Sequence, residues 1–252
     1  MTAAVSGEFA GRVALVTGAA RGIGQAVAEH LAERGAVLAL ADVTPLDAWE
    51  HDLGAGGDGH TRHVVDVRST ASCRAAVAEV LERHGRLDHL VNNAGIVRRA
   101  PASEMSEEDF TDVLDINLTG TFRMSQAAYP ALRETSGTVV NLGSTNGHIA
   151  VANSAGYCVS KAGVMHLARV LALEWAADGI RVNAVGPTIV PTAMTDDVRG
   201  DADYMQDKLA SIPAGRMATA DDVAQTIGYL LGGASAMVTG QTIFVDGGVT
   251  IH

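Results

Sequence analysis

Val13-Ala14-Leu15-Val16-Thr17-Gly18-Ala19-Ala20-Arg21-Gly22-Ile23-Gly24 is the stretch that decides how this chain is read. Its first four residues make an apolar run short enough for a single strand. The glycines that follow permit a tight turn and a close approach of backbone to a phosphate. From Gly22 to Glu33, Ile23, Val27 and Leu31 recur at helical spacing, and Gly35 stops the helix. A helix that begins at such a loop turns free amides toward an anion. The spacing is Gly-x3-Gly-x-Gly, and taken alone the loop is equally an ordinary strand-to-helix turn.

The next strand, Val37 to Ala41, ends in Asp42. A carboxylate about 20 residues past the loop accepts hydrogen bonds from the adenosine ribose of a dinucleotide. Its charge repels a 2'-phosphate, which favours NAD over NADP. Arg21 pulls the other way, and Asp42 is otherwise a solvated loop aspartate.

Strand and helix then alternate. Strands are expected at His63–Val67, Leu87–Asn92, Gly137–Leu142, Ile180–Val185 and Thr242–Val245. Helices are expected at Thr70–His84, from Ser106 with Asp109 as its capping partner, and at Thr119–Leu132, Gly156–Ala177 and Thr219–Leu231. Repeated β-α units imply an α/β fold: a doubly wound, Rossmann-type parallel sheet of seven strands with helices on both faces. No linker or repeat interrupts it, so residues 1–252 are read as one domain for dinucleotide binding and catalysis. The polar segment Thr192–Ala210 is expected to form a substrate lid, near 190–212.

Composition narrows the function. A formal charge of −11 argues against nucleic-acid binding. Only two cysteines, Cys73 and Cys158, fit a reducing cytoplasm and small buried hydrophobes rather than a disulfide. The N-terminus has no basic start followed by an apolar stretch, and its residues through about Glu8 are expected to be loose. The longest uncharged run, Thr135–Ser160, is too rich in Gly, Ser, Thr and Asn for a membrane helix. The nine histidines lack metal-ligand spacing, and His60 and His63 have no carboxylate motif beside them, so no catalytic metal is expected.

Tyr157 and Lys161 stand at i and i+4, on one face of a helix. A nearby ammonium favours the phenolate and would lower the tyrosine pKa toward that of a working base. The alternative is a tyrosine packed on a lysine stem. Ser144 follows the fifth strand, where ligands bind in such sheets, and is either a substrate-oxygen partner or a turn residue. Asn117 in mid-helix marks a local distortion or an exposed position. Asn146, Asn153 and His148 suit a polyhydroxylated substrate or satisfy loop backbone. Ile149, Val151, Met194 and Met205 would suit an apolar one.

Taken together these segments resemble the short-chain dehydrogenase/reductase family over essentially the whole chain. The matching pieces are Thr17–Gly24, Asp42, Asp66-Val67, Asn92–Gly95, Asn117, Ser144, Tyr157–Lys161 and Asp246-Gly247-Gly248. The resemblance implies a catalytic set of Asn117, Ser144, Tyr157 and Lys161. In it, Tyr157 exchanges the substrate proton, Ser144 steadies the substrate oxygen, Lys161 lowers the tyrosine pKa and holds the nicotinamide ribose, and Asn117 anchors a relay water. Gly18, Arg21, Gly22, Ile23, Gly24, Asp42, Asp66, Val67, Asn93, Val190 and Thr192 are implied as further cofactor contacts. Substrate contacts are expected from Ser144, Asn146, Asn153 and Tyr157.

One departure stands out. The family usually has Pro-Gly after the sixth strand, whereas this chain has Pro187-Thr188. Threonine does not take a positive φ cheaply, so the loop path is expected to differ. Pro-Thr, the cysteine after Tyr157 and Ile212–Arg216 resemble the xylulose-reductase and sugar-alcohol branch. The expected activity is therefore NAD-dependent oxidation of a polyol to a ketose, in a homotetramer. The alternatives are 3-oxoacyl thioester reduction, with Arg98 and Arg99 as a docking patch for an acidic carrier, and a non-catalytic NAD sensor.

Overall fold

The computed structural model describes residues 7–46 and 59–251. Most of the N-terminal tail expected to be loose lies outside the described residues. Seven strands form one parallel sheet: β1 (Val13–Thr17), β2 (Val37–Asp42), β3 (Thr61–Val64), β4 (His89–Asn92), β5 (Thr138–Leu142), β6 (Arg181–Pro187) and β7 (Thr242–Val245). Their order is β3-β2-β1-β4-β5-β6-β7, with every neighbouring pair parallel.

Side-chain alternation along the strands sorts the core into two layers. Leu15, Leu90, Val139 and Val182 pack on one face against α2 (Thr70–His84), α4 (Gly120–Thr135) and α5 (Ala155–Trp175). Ala14, Val16, Val91, Val140 and Val185 pack on the other against α1 (Gly22–Glu33) and α8 (Ala220–Leu231). The expected doubly wound sheet is what these layers form.

Buried Asp88 ties the sheet's centre together. It accepts hydrogen bonds from Val13 N–H at 2.9 Å, Arg12 Nη1 at 2.9 Å and Arg86 Nε at 2.8 Å. Burial works to raise its pKa, but these donors prevail and hold it below the ordinary carboxylate range.

Two expected boundaries are corrected. The third strand covers Thr61–Val64 rather than His63–Val67. Asp66 ends it by accepting the Arg68 N–H at 2.9 Å, while its own carbonyl accepts the Ser69 N–H at 3.0 Å. Asp66 thereby starts a turn, although Val65 and Val67 remain in the core. The expected helix at Thr119–Leu132 is α4, preceded by α3 (Glu107–Leu114) and a π-helical turn over Asp115–Thr119 that contains Asn117. The segment after β6 holds two short helices, α6 (Asp196–Arg199) and α7 (Ala202–Ala210). Among the described residues no helix is long and apolar enough to cross a membrane.

Candidate active site

β1 pairs with β2 on one side and β4 on the other, so chain direction across the sheet reverses there. Such a switch point leaves a crevice at the strands' C-terminal ends. A cavity of about 990 Å³ occupies it.

At one end of the cavity the glycines are needed for space and conformation. Gly18 has φ +64°, and a Cβ there would stand 2.8 Å from Asn93 Nδ2. Asn93 in turn donates to the carbonyls of Thr17 at 3.0 Å and Gly18 at 2.9 Å, pinning the loop to the end of β4. Gly22 has φ +61° and abuts Thr192. Gly24 is a correction: it does not line the cavity. A Cβ on it would lie 2.1 Å from the Gly18 carbonyl oxygen, so it serves the close packing of α1 on the loop.

Asp42 is more than a solvated loop residue. Its carboxylate accepts the N–H groups of Ala20 and Thr44, each at 3.0 Å, and still faces the cavity with acceptor capacity left. Arg21 is exposed at the cavity rim. Ile23, Asp66, Val67, Val190 and Thr192 also line the wall. The Arg68 side chain holds Asp66 below the usual carboxylate range. Glycine surfaces, a twelve-residue helix start and the carboxylate ending β2 fit a dinucleotide.

At the other end lie Ser144, Tyr157 and Lys161. Ser144 does both things the sequence left open. Its Oγ accepts the Asn146 N–H at 3.1 Å as a turn cap, and its hydroxyl stands near enough to the Tyr157 phenol to favour the phenolate. Buried Lys161 donates from Nζ to the Leu142 carbonyl at 2.7 Å and lies 5.7 Å from the Tyr157 ring centroid. Burial lowers its pKa to about 8.

Burial likewise pushes the Tyr157 phenol above its ordinary value; the neighbouring Ser144 hydroxyl and the Arg99 guanidinium oppose this without overcoming it. The expected acidification by Lys161 is therefore corrected for the protein alone. The lysine's ammonium is turned to a carbonyl, and desolvation of the phenolate dominates.

Asn117 is buried and does not line the cavity. Its Oδ1 accepts the Ile96 N–H at 2.8 Å, and its Nδ2 donates to the Ile96 carbonyl at 2.9 Å and to Ser160 Oγ at 3.0 Å. Both amide protons are thus used within the protein. The side chain clamps the strand-end segment to α5 one residue before Lys161, and the π-helical turn delivers it there.

Asn146, Val151 and Met194 line the cavity; Asn153, His148, Ile149 and Met205 do not. Asn153 is corrected as a substrate contact. It is exposed, holds φ +60°, and its carbonyl accepts the Ala100 N–H at 3.1 Å. Asparagine is there because it tolerates a left-handed turn.

Thr188 is not left-handed, and its N–H donates to the Val245 carbonyl at 3.1 Å, so the loop extends β6 without strain. Arg98 and Arg99 do not form a free basic patch. Arg98 pairs with Asp109 at 3.3 Å, and Arg99 pairs with Asp197 of α6 at 2.5 Å across the cavity mouth. Lys208 of α7 also lines the cavity, its pKa lowered by burial. Sequence patterning gave no signal for Lys208, one cation in a polar segment.

Cys73 is buried and Cys158 partly so, both as free thiols. His63 is bonded to Glu79 at 2.8 Å, and His60 accepts the Leu38 N–H at 2.9 Å. Both have structural uses.

Comparison with known proteins gives the chain its family. A family model described as enoyl-(acyl carrier protein) reductase matches residues 18–250. The D-threitol dehydrogenase of Mycolicibacterium smegmatis is 42% identical over 248 residues, covering 96% of this chain and 94% of that one. The 3-oxoacyl-(acyl-carrier-protein) reductase FabG of Escherichia coli K12 is 38% identical over 249 residues, covering 96% and 98%.

Among solved structures, a short-chain type dehydrogenase/reductase from Mycobacterium marinum superposes with a TM-score of 0.91 at 34% identity, covering 97% of each chain. A 3-ketoacyl-(acyl-carrier-protein) reductase from Brucella melitensis, complexed with NADH, gives 0.87 at 30%, covering 96% and 99%. The chain belongs to the short-chain dehydrogenase/reductase family. It is an oxidoreductase of a family that uses nicotinamide cofactors.

Proposed function

We propose that the protein is an NAD-dependent polyol dehydrogenase, oxidising a secondary alcohol of a small sugar alcohol to the ketose. The observation that carries this reading is the convergence of Ser144, Tyr157, buried Lys161 and polar Asn146 on one cavity. The similarity to a D-threitol dehydrogenase supports the substrate class.

Oxidation removes a proton from the alcohol oxygen and a hydride from its carbon. The nicotinamide cofactor, when bound, accepts the hydride. Tyr157 as phenolate takes the proton, and Ser144 donates a hydrogen bond to the substrate oxygen. Lys161 would hold the nicotinamide ribose beside the phenolate, while Asn117 holds the frame around it. Asp42 supports NAD, because a 2'-phosphate would face its carboxylate. Gly18, Arg21, Gly22, Ile23, Asp66, Val67, Asn93, Val190 and Thr192 would hold the dinucleotide, with α6 and α7 acting as a lid.

We place the enzyme in the cytoplasm as a homotetramer. Phe122 on α4 and Val159, Val170 and Leu173 on α5 leave apolar surface exposed, with Leu173 82% accessible, which suits subunit contact.

Reduction of a 3-oxoacyl thioester is the second reading, favoured by the similarity to FabG. The pairing of Arg98 and Arg99 with carboxylates weighs against carrier docking. A panel of tetritols, pentitols and hexitols with NAD and NADP side by side separates the two. NADH formed from a polyol supports the proposal. No NADH from any polyol, with acetoacetyl thioester reduced, would establish the alternative.

A further inference from the structure

β6 sends Val182 and Ala184 to the layer containing α5 and Val185 to the opposite layer. Thr188 continues the first set by alternation, so its side chain stands on the side from which Tyr157 and Lys161 enter the cavity. Gly186, two residues earlier on that face, would place a Cβ 3.5 Å from the Ser144 carbonyl carbon. Thr188 is thus beside the Ser144 turn. It forms part of the cavity wall and is 7% exposed, yet its Oγ1 has no hydrogen-bond partner. A buried hydroxyl left unpaired is unfavourable, and a valine would fill the same volume without that cost.

We propose that Thr188 is a substrate-recognition residue, whose hydroxyl bonds a hydroxyl on the carbon next to the one oxidised. This rests on the polyol reading above. A turn about the Cα–Cβ bond exchanges methyl and hydroxyl between staggered positions and brings the hydroxyl into the cavity. Substrate then supplies the partner that the protein alone does not. Such a group selects polyols over simple alcohols, since a site built to bond a hydroxyl discriminates against an analogue lacking it.

The test compares wild type, Thr188→Val and Thr188→Ser on a tetritol and on 2-butanol with saturating NAD. Thr188→Val should lower kcat/KM for the tetritol about tenfold and leave 2-butanol nearly unchanged, while Thr188→Ser keeps most tetritol activity. NAD affinity should be unchanged in both variants. The ligand-free Thr188→Val protein should melt about 2–4 °C higher, because a methyl replaces an unpaired hydroxyl.

Equal losses on both substrates, unaltered tetritol activity, or weakened NAD binding would each overturn the assignment and leave the polyol reading in place. Wild type that oxidises no polyol would remove both. The melting and NAD measurements stand even where 2-butanol is not turned over.

Discussion

Lys161 and Tyr157 are each kept where their charged form is unfavourable. Lys161 loses its proton near pH 8 and the phenol ionises above its ordinary value, both because of burial. Oxidation needs the phenolate, so kcat/KM for the alcohol should climb from pH 7 through pH 10, while the reverse reduction, which needs the phenol, should favour the lower end. A profile that is flat from pH 7 upward in the oxidation direction would contradict this. Lys161→Met should reduce kcat/KM about 10²–10⁴-fold in steady-state assays without unfolding the chain. The i, i+4 spacing made this pair legible in sequence. The pKa directions were not, because desolvation comes from tertiary neighbours. The place of Asn153 was not legible for the same reason: its backbone need is visible only once the chain turns there at φ +60°.

Among the elements, the strand-loop-helix opening was legible nearly residue by residue, since its glycine spacing serves local geometry. The end of β3 was not, because valines continue past the point where Asp66 turns the chain. Asn117 drew notice as a poor helix former, and it sits in a π-helical turn; its partner Ile96 is 21 residues away and could not be read from spacing. Asp88 drew none, although it joins the start of β1 to the start of β4. Asp88→Ala would strand the Val13 amide and leave two exposed guanidinium groups to solvent. We expect a loss of about 1–3 kcal/mol in urea unfolding, with an unchanged slope. A loss below about 0.5 kcal/mol would show that solvent replaces these bonds.

Over the whole molecule, the seven-stranded parallel sheet was legible from the alternation of strand and helix patterns, while the identity of the substrate was not. A few cavity-wall side chains decide it, and those come from segments far apart in sequence. Stability also depends on a group that patterning does not expose. His89 is buried at the base of the sheet, its Nδ1 2.6 Å from Thr138 Oγ1, and burial lowers its pKa to about 4. The unfolded chain binds this proton near pH 6.5, so the stabilisation is complete above pH 6.5 and is lost as pH falls toward 4. The loss from this residue should reach about 3 kcal/mol. His89→Gln should flatten that part of the pH dependence in thermal melts between pH 7 and 4.5; an unchanged slope would mean that other groups carry it.

The proposed reaction has Tyr157 move the proton of a polyol hydroxyl. Its most direct measurement is a single-turnover assay of NADH formation from a tetritol by wild type and Tyr157→Phe, with NADH binding checked by fluorescence. We expect NADH from wild type, a rate at least about 10²-fold lower in the variant, and equal NADH affinity. A variant that forms NADH at the wild-type rate would contradict it.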